Sequence, residues 1–112
     1  MAWLTALEDP RLGRAIDKIL ANPAGNHTVD SLAMEASMSR SAFAERFVAA
    51  FGRPPMTLVH NIRMQRAAQL LKQGAFSIDE VANRVGFSSR SHFSHAFKRH
   101  AGVSPATFRT GQ

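Results

Sequence analysis

The chain of 112 residues contains no cysteine. That excludes disulfides, thiolate metal sites and a cysteine nucleophile, and it suits a reducing compartment. No apolar run approaches the roughly 18 residues that a bilayer span requires. The N-terminus lacks the basic-then-apolar layout of a signal peptide, so a cytoplasmic protein is expected. Enzyme signatures are missing as well: there is no glycine-rich phosphate loop, paired-carboxylate cleft or nucleophile elbow. Neither an enzyme nor a bound cofactor is therefore expected. Acidic residues are scarce in one half only. Residues 1–26 balance three basic groups with three acidic ones, and residues 27–53 do the same. Residues 54–73 hold Arg63, Arg66 and Lys72 with no acid, and residues 74–112 hold five basic and two acidic groups. The whole net charge of +6 thus lies C-terminal. A basic half is the footprint of a polyanion binder, although charge alone equally describes a solvated surface.

What is present is a helical pattern with built-in stops and starts. Apolar content of 45% supports a packed core, in one domain or in two very small ones sharing a core. The most informative stretch runs from Ile78 to Phe97. Ile78, Val81, Ala82 and Val85 form one helical face, and Gly86 supplies the left-handed residue that ends a helix. Ser89 can cap the next helix, whose apolar face reads Phe93, Ala96 and Phe97. Its other face shows Arg90, Ser91, Ser94, His95 and Lys98. A short helix, a glycine turn and a helix with a polar outer face make a helix-turn-helix, whose second helix enters the major groove of DNA.

The rest of the chain is all-α by the same criteria. Residues 1–9 read as an N-terminal tail, the remnant of a linker to a missing domain, with Trp3, Leu4 and Leu7 free to pack on the domain or on that neighbour. Asp9 caps a helix with Pro10 at its first position and Leu12, Ile16, Ile19 and Leu20 as its core face. Asn22-Pro23-Ala24-Gly25 ends it. Thr28 or Asp30 opens the next helix, with Val29, Leu32, Ala33 and Ala36 inward. After a turn at Ser37-Met38-Ser39, a third helix places Phe43, Phe47, Ala50 and Phe51 on its apolar side. Gly52 closes it, and a long helix from Pro55 to Lys72 presents Leu58, Val59, Ile62, Ala67, Leu70 and Leu71. Gly74 ends that helix, and Ser77 with Glu80 forms a capping box. Gly102-Val103-Ser104-Pro105 stops the last long helix and starts a short one ending near Arg109. The methionines at 34, 38, 56 and 64 are expected to fill gaps in the core.

The chain repeats itself. Leu32-Ala33 matches Val81-Ala82, and Ala36-Ser37-Met38 matches Val85-Gly86-Phe87, at an offset of 49. Beyond the turn the offset is 50: Phe43 matches Phe93, Phe47 matches Phe97, Gly52 matches Gly102, Pro55 matches Pro105 and Leu58 matches Phe108. Two copies separated by one long helix indicate tandem DNA-reading units rather than a solenoid. The expected division is a first unit over 10–52, a linker helix within 53–74 and a second unit over 75–112. A helix of about 18 residues spans roughly 27 Å, against ~34 Å between successive major-groove faces on one side of DNA. One chain could therefore reach two adjacent grooves.

These residues resemble the DNA-binding region of AraC/XylS-type bacterial transcription regulators. The resemblance rests on Leu32-Ala33, Met38 to Phe43 and Phe47, then on Arg63-Met64, Ala67-Ala68 and Leu70-Leu71. In the second unit it rests on Ile78, Val81-Ala82, Val85-Gly86-Phe87, Ser89-Arg90-Ser91, Phe93, Phe97-Lys98, Gly102, Ser104-Pro105 and Arg109. It covers about residues 10–110 and is most specific in the second unit. Membership implies seven helices, two helix-turn-helix units and regulation of promoters through contact with double-stranded DNA and RNA polymerase. For most members it also implies a separate ligand-sensing or dimerising domain, so an effector would act through a domain absent here. The family's pattern commonly has glycine at the position of Ser37.

The same resemblance places base contacts at Ser41, Ala44 and Glu45 in the first recognition helix, and at Arg90, Ser91, Ser94 and His95 in the second. Arg90 can pair bidentately with guanine, at about 1–3 kcal/mol of discrimination. Ala44 offers apolar contact to a thymine methyl, and Glu45 can accept from a cytosine amino group or pair locally with Arg40 or Arg46. Phosphate contacts are expected from Arg40, Arg63 and Lys98 and from the backbone amides at Ser39 and Ser89, with Arg53 and Arg99 as further candidates. Phe43, Phe47, Phe93 and Phe97 are core residues by spacing rather than stacking platforms. His92 and His95, three apart with His100 beyond, raise the question of a metal, but no cysteine or HExxH pattern completes a ligand set, and none is expected. A helical protein-interaction module remains the competing class; it would bind without the steep salt dependence of phosphate neutralisation.

Overall fold

The computed structural model describes residues 9–111. They form seven α-helices, with no strand among the described residues: α1 Pro10–Ala21, α2 Val29–Glu35, α3 Arg40–Phe51, α4 Pro55–Gln73, α5 Ile78–Arg84, α6 Arg90–Ala101 and α7 Pro105–Thr110. The expectations for Trp3, Leu4 and Leu7 lie outside the described residues. The chain separates into two compact units that meet within α4, between His60 and Asn61.

In the unit ending at His60, α1 opens as its sequence dictates. The Asp9 side chain accepts the Arg11 amide hydrogen bond, and Pro10 takes the first helical position. Leu12, Ala15 and Ile19 are buried, whereas Leu20 is 56% exposed and Ile16 half-buried. The expected face was thus set too far round: Leu20 lies about 80° from Leu12, beyond the stripe that faces the core, and Ala15 takes that place. Thr28, not Asp30, caps α2. Its hydroxyl accepts from the Ser31 amide at 3.0 Å, and the Ser31 hydroxyl accepts from the Thr28 amide at 2.9 Å. Leu32, Ala33, Ala36, Phe43, Phe47, Ala50 and Val59 are also buried in this unit, as are His27 and Pro55. Phe43, Phe47 and Phe51 run along one side of α3, with ring centroids 5.8 and 4.5 Å apart in succession.

The second unit repeats the design. Ser77 and Glu80 form the expected reciprocal cap, and hydrogen bonding from the Ser77 amide, then from its side chain, holds the Glu80 carboxyl below its ordinary pKa. The core gathers Met64, Ala67, Leu70, Leu71, Val81, Ala82, Val85, Phe93, Ala96 and Phe97, with Phe76, Phe87 and Phe108 against its edge. The four phenylalanines shared between the repeats are at most 1% exposed, so none presents a ring to a base. Among the described methionines, Met64 is buried in the core and Met38 is half-buried. Met34 is 79% and Met56 37% exposed, because each lies on the outer side of its helix.

Arg109 fastens the end of this unit. Its Nε donates to the Leu71 carbonyl at 3.4 Å, and its Nη2 donates to the Phe76 carbonyl. Leu71 lies in the last turn of α4, where its carbonyl accepts from the Gly74 amide at 3.2 Å and takes the guanidinium as a second donor. Two cations also sit over rings: Lys72 over Phe108 at 4.7 Å and Arg84 over Phe76 at 4.0 Å.

Candidate nucleic-acid interface

Both turns have the same backbone hydrogen bonds. In the first, the Met38 amide donates to the Ala33 carbonyl at 3.0 Å and the Ser37 amide to Met34 at 3.0 Å. In the second, Phe87 donates to Ala82 at 2.9 Å and Gly86 to Asn83 at 3.1 Å. These pairs of bonds define a Schellman turn, which needs a left-handed residue at its fifth position. Gly86 has φ 95°, and Ser37 adopts φ 58° to make the same turn without glycine. The unusual residue has left the geometry intact and taken up the strain itself.

Each turn delivers a serine-capped helix. The Ser39 hydroxyl accepts from the Ala42 amide at 3.2 Å, and the Ser89 hydroxyl from the His92 amide at 3.3 Å. On α3, Ser41 and Glu45 are exposed and Ala44 is half-buried. Residues i, i+3 and i+4 share a helix face, so the three belong to one surface. On α6 the same relation joins Ser91, Ser94, His95 and Lys98; Ser94 is half-buried like Ala44, its counterpart at offset 50, and the other three are exposed. His95, Lys98 and Arg99 line an open depression of about 290 Å³, a basic recess on the outer side of the helix. Among the described residues no group of three His, Cys, Asp or Glu side chains is placed to hold a metal ion.

The charged residues are less free than their sequence positions suggest. Arg40 Nη1 lies 3.5 Å from Asp30 Oδ2, and Arg90 Nη1 lies 3.9 Å from Asp79 Oδ2. Arg46 pairs with Asp9 at 3.7 Å rather than with Glu45. Glu45 therefore keeps its carboxylate without an ion-pair partner among the described residues. Arg63, on α4, is half-buried, and burial pulls its pKa down from the ordinary value. The roles of Asp30 and Asp79 escaped the sequence reading. Their signal was present, since Asp30 and Asp79 are 49 apart while Arg40 and Arg90 are 50 apart, the offsets of the repeat itself.

Two capped recognition helices, each behind a Schellman turn and each with a polar outer face, define a helix-turn-helix DNA-binding protein. Comparison with known proteins agrees. The family described as "Helix-turn-helix domain" matches residues 32–111. The chain is 43% identical over 108 residues to the HTH-type transcriptional regulator AlkR of Acinetobacter baylyi, covering 96% of this chain and 35% of that protein. It is 41% identical over 106 residues to the HTH-type transcriptional regulator MtrA of Neisseria gonorrhoeae, covering 95% and 35%. Among solved structures, an AraC-type regulator from Chromobacterium violaceum superimposes with a TM-score of 0.87 at 30% identity, covering 94% of each chain. The DNA-binding domain of AdpA, solved in complex with a target DNA, gives 0.84 at 34% identity and 92% of each. The chain belongs to the AraC-type helix-turn-helix family of DNA-binding transcription regulators. It spans about a third of the length of the curated relatives it matches.

Proposed function

We propose that this chain is the promoter-reading part of a transcription regulator, and that it inserts α3 and α6 into adjacent major grooves of double-stranded DNA. The observation that carries this is the duplication: one turn geometry, one cap and one exposed polar face, made twice. Ser41, Ala44 and Glu45 of α3 and Arg90, Ser91, Ser94 and His95 of α6 face the bases. Arg40, Arg63, Lys98 and the amides following Ser39 and Ser89 hold phosphates; the two serine hydroxyls already accept within their own caps. The basic second unit supplies much of the affinity. In the full-length protein, RNA polymerase is the second partner, the cytoplasm the setting, and a small-molecule effector acts through a domain outside this chain.

Selection of bound sequences from a random duplex pool tests the reading. Enrichment of a bipartite site with halves one helical turn apart, about 10.5 base pairs, is expected. An unenriched pool at moderate salt sinks sequence-specific binding. Binding indifferent to salt would point instead to a protein-interaction module.

A further inference from the structure

The two ion pairs behind the recognition helices occupy the same place in each repeat. In both, the acid is the second residue of the helix before the turn and the arginine is the first residue of the helix after it. In both, the carboxylate Oδ2 approaches Nη1, at 3.5 Å in the first unit and 3.9 Å in the second. Such a pair leaves most of the guanidinium unused. Arginine carries five N–H donors, and a guanine takes two of them through O6 and N7. The Arg90 side chain is 56% exposed, so its remaining donors are open to a ligand while Asp79 stays beside Nη1. A long side chain held at one edge also loses less rotamer freedom when a base engages the other.

We propose that Asp79 is a positioning residue for Arg90, holding the guanidinium where it reads a base and lowering its attraction for phosphate elsewhere. This rests on the assignment of Arg90 to base reading. Both actions push in one direction: the carboxylate favours the DNA site that offers a base partner over one that offers only backbone. Asp30 and Arg40 form the corresponding ion pair in the first unit, where the arginine is assigned to phosphate rather than to a base.

The test is fluorescence anisotropy of the 112-residue chain on two probes, the duplex enriched from the random pool and a scrambled duplex of equal length and composition. Both affinities come from one preparation, so their ratio is independent of the fraction of protein folded. Asp79→Asn should lower the ratio of affinities by about 2- to 5-fold, the range an exposed ion pair supports. The lost preference should fall at the base whose identity Arg90→Ala erases, and Asp79→Asn should add nothing in the Arg90→Ala background. Asp79→Glu, which keeps the charge, should retain most of the ratio. Equal changes on both probes, or the same loss without Arg90, overturn the positioning role while leaving the base-reading assignment standing. Arg90→Ala with every base preference intact overturns that assignment, and the inference with it.

Discussion

Replacing Ser37 by glycine should stabilise the protein. Ser37 holds a left-handed backbone at φ 58°, a conformation that costs a residue with a Cβ roughly 1–2 kcal/mol. The side chain offers little in return: Ser37 is exposed, and its hydroxyl makes no hydrogen bond among the described residues. Glycine removes the steric penalty but frees the unfolded chain, a counter-term of about 0.4–1 kcal/mol. The net gain is therefore about 0.5–1 kcal/mol, or roughly 2–8 °C in Tm for a domain of this size. Thermal unfolding followed by circular dichroism measures it. Gly86→Ser, the reverse exchange at φ 95°, should cost about 0.5–1 kcal/mol by the same balance of steric penalty against unfolded-chain freedom. A neutral or destabilising Ser37→Gly, together with a harmless Gly86→Ser, would refute the view that the turn geometry requires a left-handed residue and that Ser37 is strained in supplying it.

Three further outcomes follow from the contacts. Arg109→Ala removes charged donors from the Leu71 and Phe76 carbonyls, and urea unfolding should show a loss of about 2–3 kcal/mol; Arg109→Lys should recover little, because an ammonium cannot span both acceptors. Lys98→Ala should weaken enriched and scrambled duplexes alike and flatten the slope of log affinity against log salt by about 0.9, more than Arg40→Ala does. A larger effect of Arg40→Ala would reverse the assigned asymmetry between the units. The Asp9 carboxyl is held below its ordinary pKa, most of all by hydrogen bonding from the Arg11 side chain; burial pushes it up with the next largest effect, and the Arg11 amide and the charges of Arg11 and Arg46 lower it further. A depressed carboxylate contributes stability that is present above its unfolded value of about 4 and is lost as pH falls through the lower folded value. The stability difference between the parent and Asp9→Asn should thus be largest near neutral pH and shrink below about pH 4; a difference unchanged across that range would show that the Arg11 and Arg46 pairs add nothing.

Caps, stops and apolar spacing are local, and the sequence by itself determined them: Asp9-Pro10, Ser77 with Glu80, Ser89, and the Phe43/Phe47 and Phe93/Phe97 pairs all stand where the pattern placed them. The 49 and 50 offsets likewise determined that there are two units with matched turns. Choices between near neighbours were beyond it. Leu20 or Ala15 inward, Thr28 or Asp30 as cap, and Met64 rather than Met34 as filler depend on which way each helix is rotated, and only packing sets that rotation. The tertiary structure alone decided where the charges go. Arg46 finds Asp9 rather than Glu45, Arg109 reaches back 38 and 33 residues to two carbonyls, and Asp30 and Asp79 take the arginines that open the recognition helices. An ion pair between separate elements needs both of them placed before its partners are defined. Sequence periodicity records which face of a helix is polar, and the fold determines what that face meets.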